Sequence, residues 1–153
     1  MMETGSLFKK RIILGVTGSI AAVETVRLAH ALRREGASVT AVMSEAATRI
    51  IHPDALTYAT GNDAITALSG HVEHVTFCGE GGCADLLLIA PCTANTLCKI
   101  ARGIDDTPVT TFASTALGAG LPVVVAPAMH ESMYRHPGVS ECIRCLSSWK
   151  VTV

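Results

Sequence analysis

Short aliphatic runs alternate along this chain with stretches of helical periodicity. Arg11–Val16 (RIILGV), Ser38–Met43 (SVTAVM), Asp85–Ala90 (DLLLIA) and Leu121–Ala126 (LPVVVA) read as strands, with the near-continuous apolar character of strands buried on both faces. The first run ends in Gly15-Val-Thr-Gly18-Ser, and a helical stretch follows to about Glu35. That stretch sets Glu24, Arg27 and Arg34 on one side and Ala22, Val26 and Ala29 on another, until Gly36 stops it. A short helix is expected from Ser44, and Ile65–Phe77 reads as irregular to strand-like and rich in histidine. Gly79–Gly82 reads as a flexible loop. Further helices are expected near Asn95, after the polar turn at Asp105–Thr111, and over Ser140–Leu146. Pro127 closes the fourth run, and Lys150–Val153 is read as the start of a last strand. This alternation predicts an open, mostly parallel α/β sheet, which binds ligands at the carboxyl ends of its strands.

Composition narrows the picture. A chain of 153 residues without repeat or linker is expected to form a single domain over residues 1–153. With 49% hydrophobic and 16% charged residues it is far from the disordered class, and it carries more apolar side chain than a monomer of this size readily hides. A homo-oligomer is therefore expected. Twelve Lys and Arg against 13 Asp and Glu leave a net charge of −1, too little basic field for nucleic acid or an anionic membrane. The longest apolar stretches, Leu86–Pro91 and Leu121–Met129, fall short of the ~20 residues that a membrane span needs. Lys9 and Lys10 precede a glycine-containing run rather than a signal-peptide core, so a cytoplasmic location is expected. The six cysteines are expected to be reduced thiols. Cys142 and Cys145 form a C-x-x-C pair without a second pair at zinc spacing, so no metal site is expected.

The candidate chemistry lies at the strand ends. Thr17-Gly18-Ser19-Ile20 has the glycine and helix start of a phosphate seat, and equally those of a turn glycine followed by a Ser19 cap. A nicotinamide dinucleotide is disfavoured, because the spacing is Gly-x-x-Gly and the second strand ends in Ser44 where an acidic residue would take the ribose diol. Glu45 comes one position late and is read as solvated. A mononucleotide's phosphate or ribityl chain suits a hydroxyl at Ser44 better. The third strand ends in Ala90-Pro91-Cys92-Thr93-Ala94-Asn95-Thr96 and the fourth in Ala126-Pro127-Ala128-Met129-His130-Glu131-Ser132-Met133.

These segments, with Lys99-Ile100-Ala101-x-Gly103-Ile104 and Asp106 between them and Gly18-Ser19-Ile20-Ala21-Ala22 before them, resemble the homo-oligomeric flavin-containing cysteine decarboxylases over about Arg11–Leu146. Within that family the chain looks most like the phosphopantothenoylcysteine decarboxylases, in particular the decarboxylase half of the archaeal-style fused decarboxylase–synthetase of coenzyme A synthesis. The resemblance implies a flavodoxin-like, Rossmann-type three-layer sandwich whose trimers hold FMN at a subunit contact. It also implies a reaction: FMN takes a hydride from a C-terminal cysteine moiety, giving a thioaldehyde, and CO₂ leaves to form an enethiol.

Carried over by position, the resemblance places Gly18, Ser19 and Ile20 at the FMN phosphate, Ser44 as a second-strand contact, and Thr93, Ala94, Asn95, Thr96 and Ala128 against the flavin. The family's acid/base histidine opens a His-[hydrophobic]-x-[hydrophobic] segment. His74-Val75-Thr76-Phe77 keeps that pattern and His71-Val72-Glu73-His74 lacks its second hydrophobic residue, so His74 is the first candidate and His71 the second.

His130 stands where the family has an asparagine that holds the substrate carboxylate, and imidazole can still donate a hydrogen bond there. Met129 neighbours it as a substrate-side candidate, although Met129 and Met133 at i and i+4 also read as core packing. The family's substrate flap, with its cysteine, is not found before Val153, and Cys142 and Cys145 lie too early to replace it. Three readings follow: a truncated domain, an enzyme that stops at the enethiol as the lantibiotic-precursor decarboxylases do, or a flavin-binding regulatory protein without turnover. A flavin prenyltransferase of the same fold is a further alternative, against which the Pro-Ala-Met segment argues.

Overall fold

The computed structural model describes residues 5–153. Four strands, β1 (Arg11–Val16), β2 (Ser38–Met43), β3 (Leu86–Cys92) and β4 (Val123–Pro127), form one sheet in the order β2-β1-β3-β4, every pair parallel. Parallel neighbours require crossover connections, and the intervening helices supply them. A 3-10 turn at Ile20–Glu24 runs into α1 (Thr25–Arg34), whose chain reverses at Gly36 with φ +93. After β2 come α2 (Glu45–Thr48), α3 (Pro53–Thr60) and α4 (Glu73–Cys78). Helices α5 (Ala94–Arg102) and α6 (Pro108–Ala119) link β3 to β4, and α7 (Glu131–Tyr134) and α8 (Pro137–Ser148) follow.

Alternation along the strands divides the core into two layers. Ile12, Leu14 and Val16 pack with Ala22, Ala29, Leu56 and Ala59 beneath α1 and α3. Ile13, Leu87, Ile89, Val123 and Val125 pack with Leu97, Phe112 and Leu146 beneath α5, α6 and α8. The result is the expected three-layer α/β sandwich. The face beneath α1 and α3 is covered unevenly, and on it Ala126 at the end of β4 is exposed. Ile20, Val23 and Tyr58 are also exposed, at 76%, 53% and 82%.

Four local expectations are corrected. The segment read as strand-like up to Phe77 makes only a single parallel bridge, Val42 to Ile65, before residues 73–78 form helix α4. Burial of Cys78 and the packing of Phe77 against Phe112, with ring centroids 6.3 Å apart, outweigh the β preference of Val75, Thr76 and Phe77. One short helix after Ser44 becomes two, because His52 caps a second helix whose first residue is Pro53. The loop at Gly79–Gly82 is tied back onto α4 by Cys83 N–H to Thr76 C=O at 3.2 Å and Ala84 N–H to Phe77 C=O at 2.9 Å. At the C-terminus Thr152 makes one parallel bridge to Val124 rather than a strand.

Candidate functional site

Hydrogen bonds stitch the carboxyl ends of the four strands in the order of the sheet. Ser44 N–H donates to Val16 C=O at 3.0 Å and joins β2 to β1. The Thr17 hydroxyl donates to Pro91 C=O at 2.7 Å and accepts the Thr93 N–H at 3.0 Å, joining β1 to β3. Ala128 N–H donates to Cys92 C=O at 2.9 Å and joins β3 to β4. The rim thus brings Gly18, Ser19, Ile20, Ser44, Thr93–Thr96 and Ala128 onto one edge of the molecule.

Each segment has its own local reason for its shape. Ser19 Oγ accepts Ala21 N–H, Ser44 Oγ accepts Ala47 N–H and Thr93 Oγ1 accepts Thr96 N–H, each at 3.2 Å, so all three hydroxyls cap the helices that follow them. A Cβ on Gly18 would lie 2.5 Å from the Ala46 Cβ, so only glycine lets this turn approach the start of α2. The cap and the turn glycine both exist, and they do not use up the donors: the N–H groups of Gly18 and Ile20, and those of Ala94 and Asn95, have no intrachain acceptor among the described residues. Free N–H donors at two neighbouring helix starts form a donor set suited to a phosphate and to carbonyl oxygens of a bound heterocycle. Thr96 is 5% exposed and its hydroxyl receives that of Thr93, which places it within the cap. The Asn95 side chain is exposed at the rim.

Beyond β4, His130 is the exposed cap of α7. Its Nδ1 accepts the Ser132 N–H at 3.3 Å, which needs a lone pair on Nδ1 and leaves the ring proton of the neutral imidazole on Nε2 as an outward donor. Met129 is half-buried. Met133 is 49% exposed and lines a groove of about 440 Å³, so the core-packing reading fails for it. Asn95, Cys98 and Arg102 of α5 line the same groove, together with Val139 and Cys142 of α8. A second hollow of about 210 Å³ is lined by Ala21, Pro91 and Ala128.

The two histidine candidates differ in setting. His74 lies on α4, edge-on to Phe112 at 6.5 Å between ring centroids, with Nδ1 buried and unpartnered. His71 is exposed in the preceding turn, where its N–H donates to Ser69 Oγ at 3.1 Å. Between them Val72 adopts φ +47, a left-handed conformation that a β-branched residue rarely takes. Hydrogen bonds from the Ser69 hydroxyl and N–H hold the Glu73 carboxylate down at about 2. Burial pushes the Cys92 thiol up to about 12, so it stays protonated beneath the rim. All six cysteines are free, and no group of three or more His, Cys, Asp or Glu among the described residues could hold a metal ion.

Thr17 carries no assigned role in the sequence pattern; its signal is a hydroxyl immediately after a buried strand, which at 1% exposure has to find its partners inside the protein.

Comparison with known proteins agrees with this geometry. The Flavoprotein family model matches residues 2–153. The chain is 57% identical over 145 residues to the coenzyme A biosynthesis bifunctional protein CoaBC of Thermococcus kodakarensis, covering 94% of this chain and 36% of that protein. It is 41% identical over 128 residues to the CoaBC protein of Methanocaldococcus jannaschii, covering 84% of this chain and 31% of the relative. The chain therefore spans about a third of the length of these relatives. Among solved structures, the FMN-dependent cysteine decarboxylase SpaF superposes with a TM-score of 0.83 at 31% identity, over 96% of this chain and 84% of that one. A mutant PPC decarboxylase complexed with pantothenoylaminoethenethiol superposes with a TM-score of 0.78 at 27% identity, over 94% and 80%. With its fold, its stitched rim and this match along nearly its whole length, the chain belongs to the Flavoprotein family.

Proposed function

We propose that this chain is an FMN-binding decarboxylase domain that acts on a C-terminal cysteine moiety, with phosphopantothenoylcysteine as its substrate in coenzyme A synthesis. The observation that carries the reading is the rim: four strand ends tied edge to edge, with unpaired N–H donors at two adjacent helix starts. The similarity to CoaBC proteins and to FMN-dependent cysteine decarboxylases supports the cofactor and the substrate class. Residues 1–153 are proposed as one cofactor-binding domain that assembles as a cytoplasmic homotrimer, supported by the apolar side chains left exposed at Ile20, Val23 and Tyr58.

In this reading the N–H groups of Gly18 and Ile20, with Ser19 and Ser44 beside them, hold the cofactor phosphate and ribityl chain. Thr93, Ala94, Asn95, Thr96 and Ala128 form the wall against the ring. Bound FMN supplies the two-electron oxidising power that lets a carboxylate beside a thiol-bearing carbon depart as CO₂. His130, with its proton on Nε2, donates to the substrate carboxylate and orients it, and Met129 closes that side. His74 exchanges the proton at the reacting thiol, its ring angle set by Phe112. His71 is the alternative for that role.

The test is direct. Purified protein should be yellow or take up FMN on titration, and the loaded protein should release CO₂ from phosphopantothenoylcysteine. Protein that stays colourless and rejects FMN defeats the proposal. FMN binding without CO₂ release would favour a regulatory flavoprotein.

A further inference from the structure

The groove between α5 and α8 is apolar along its length and charged at one end. Asn95, Cys98 and Arg102 fall on one face of α5 at i, i+3 and i+7, and Val139 and Cys142 form the facing wall on α8. Asn95 belongs to the rim, and Met133 of α7 lines the groove beside it. Arg102 lies two turns away, roughly 10 Å along the helix axis. There Arg102 Nη2 pairs with Glu141 Oε1 at 2.7 Å, with half of each side chain exposed. Arg102 is the cationic side chain in the lining of that end of the groove. The Glu141 contact leaves other guanidinium N–H donors of Arg102 available to a second anion.

We infer that this groove receives the arm of the substrate, and that Arg102 binds the phosphate at the end of that arm. The inference rests on the decarboxylase reading above and adds to it a determinant of substrate choice. Phosphopantothenoylcysteine suits the groove from end to end. Its cysteine would lie at the rim beside Asn95 and His130. Its dimethyl-bearing arm, about three peptide units long, spans roughly 10 Å and meets the Cys98, Val139 and Cys142 wall. Its phosphate reaches a guanidinium, the side chain best shaped to hold two phosphate oxygens together. Glu141 has a double effect, holding Arg102 in place through their ion pair while competing with the incoming phosphate.

The experiment is calorimetric titration of the FMN-loaded protein with 4′-phosphopantetheine and with pantetheine, for the wild type, Arg102→Gln and Glu141→Gln. The phosphate ester should bind the wild type at least about tenfold more tightly than the alcohol, as expected for hydrogen bonds between charged groups. Arg102→Gln should bring that ratio close to one, and Glu141→Gln should widen it. These opposite directions separate anion binding from loosened packing of α5 on α8, which would lower the ratio in both variants. A wild-type ratio near one, a ratio retained in Arg102→Gln, or a fall in both variants overturns the inference. If CO₂ is still released from phosphopantothenoylcysteine in those cases, the decarboxylase reading stands without it. If the wild type binds neither compound and releases no CO₂, both fail.

Discussion

The Thr17 hydroxyl receives the backbone N–H of Thr93 at 3.0 Å across 76 residues of sequence, and in turn donates to the carbonyl of Pro91 at 2.7 Å. A single buried oxygen thus fixes the spacing between the proposed phosphate turn and the start of α5. Thr17→Val keeps the volume and removes both bonds. Pro91 C=O retains the Thr17 N–H at 3.3 Å, whereas the Thr93 N–H loses its partner. Denaturant unfolding should show a loss of about 1–3 kcal/mol, and FMN affinity should fall with it. Unchanged stability together with unchanged affinity would remove Thr17 from this role.

Gly18 should tolerate no side chain. The Cβ of Gly18→Ala would sit 2.5 Å from the Ala46 Cβ, so the turn and α2 must move apart. The expected cost is about 1–3 kcal/mol, and FMN binding should weaken because the free N–H groups shift with the turn. Fluorescence titration of FMN would measure this, and a variant that binds as the wild type does would show that the turn can yield.

His74 and His71 can be separated by the same substitution at each. His74→Gln should retain bound FMN and lose at least about a hundredfold in CO₂ release, the range of a positioned acid/base group. Loss in His71→Gln alone would move the role to the exposed ring.

The turn that carries these histidines should respond to acid. Glu73 is held at about 2, against an ordinary value of 4.5, first by the Ser69 hydroxyl and then by the Ser69 N–H. A carboxyl depressed in the folded state contributes its full stabilisation above its unfolded value and loses it as the pH falls through its folded value. Between about pH 4.5 and 2 the Ser69–Glu73 clasp should therefore open, and amide exchange over residues 69–73 should accelerate there. Ser69→Ala should raise the Glu73 value in a carboxyl NMR titration. An ordinary Glu73 value in the wild type would refute the clasp.

Much of this molecule was legible in its sequence, because the strongest signals are local. Buried parallel strands show as unbroken aliphatic runs, and all four runs became strands of the sheet. Turn glycines and helix-capping hydroxyls act within a few residues, so Gly18, Ser19, Ser44 and Thr93 could be marked as candidates before their neighbours across the sheet were known. Contacts between distant segments decided the rest. Residues 73–78 are helical because Cys78 is buried and Phe77 packs half-buried against the layer containing α6, a packing energy that local β preference does not report. Met133 turned out to line a groove rather than the core, since spacing alone does not say which face of a short helix meets solvent. The Thr17 link and the groove running from Asn95 to Arg102 depend on which strands and helices become neighbours, and only the folded chain settles that.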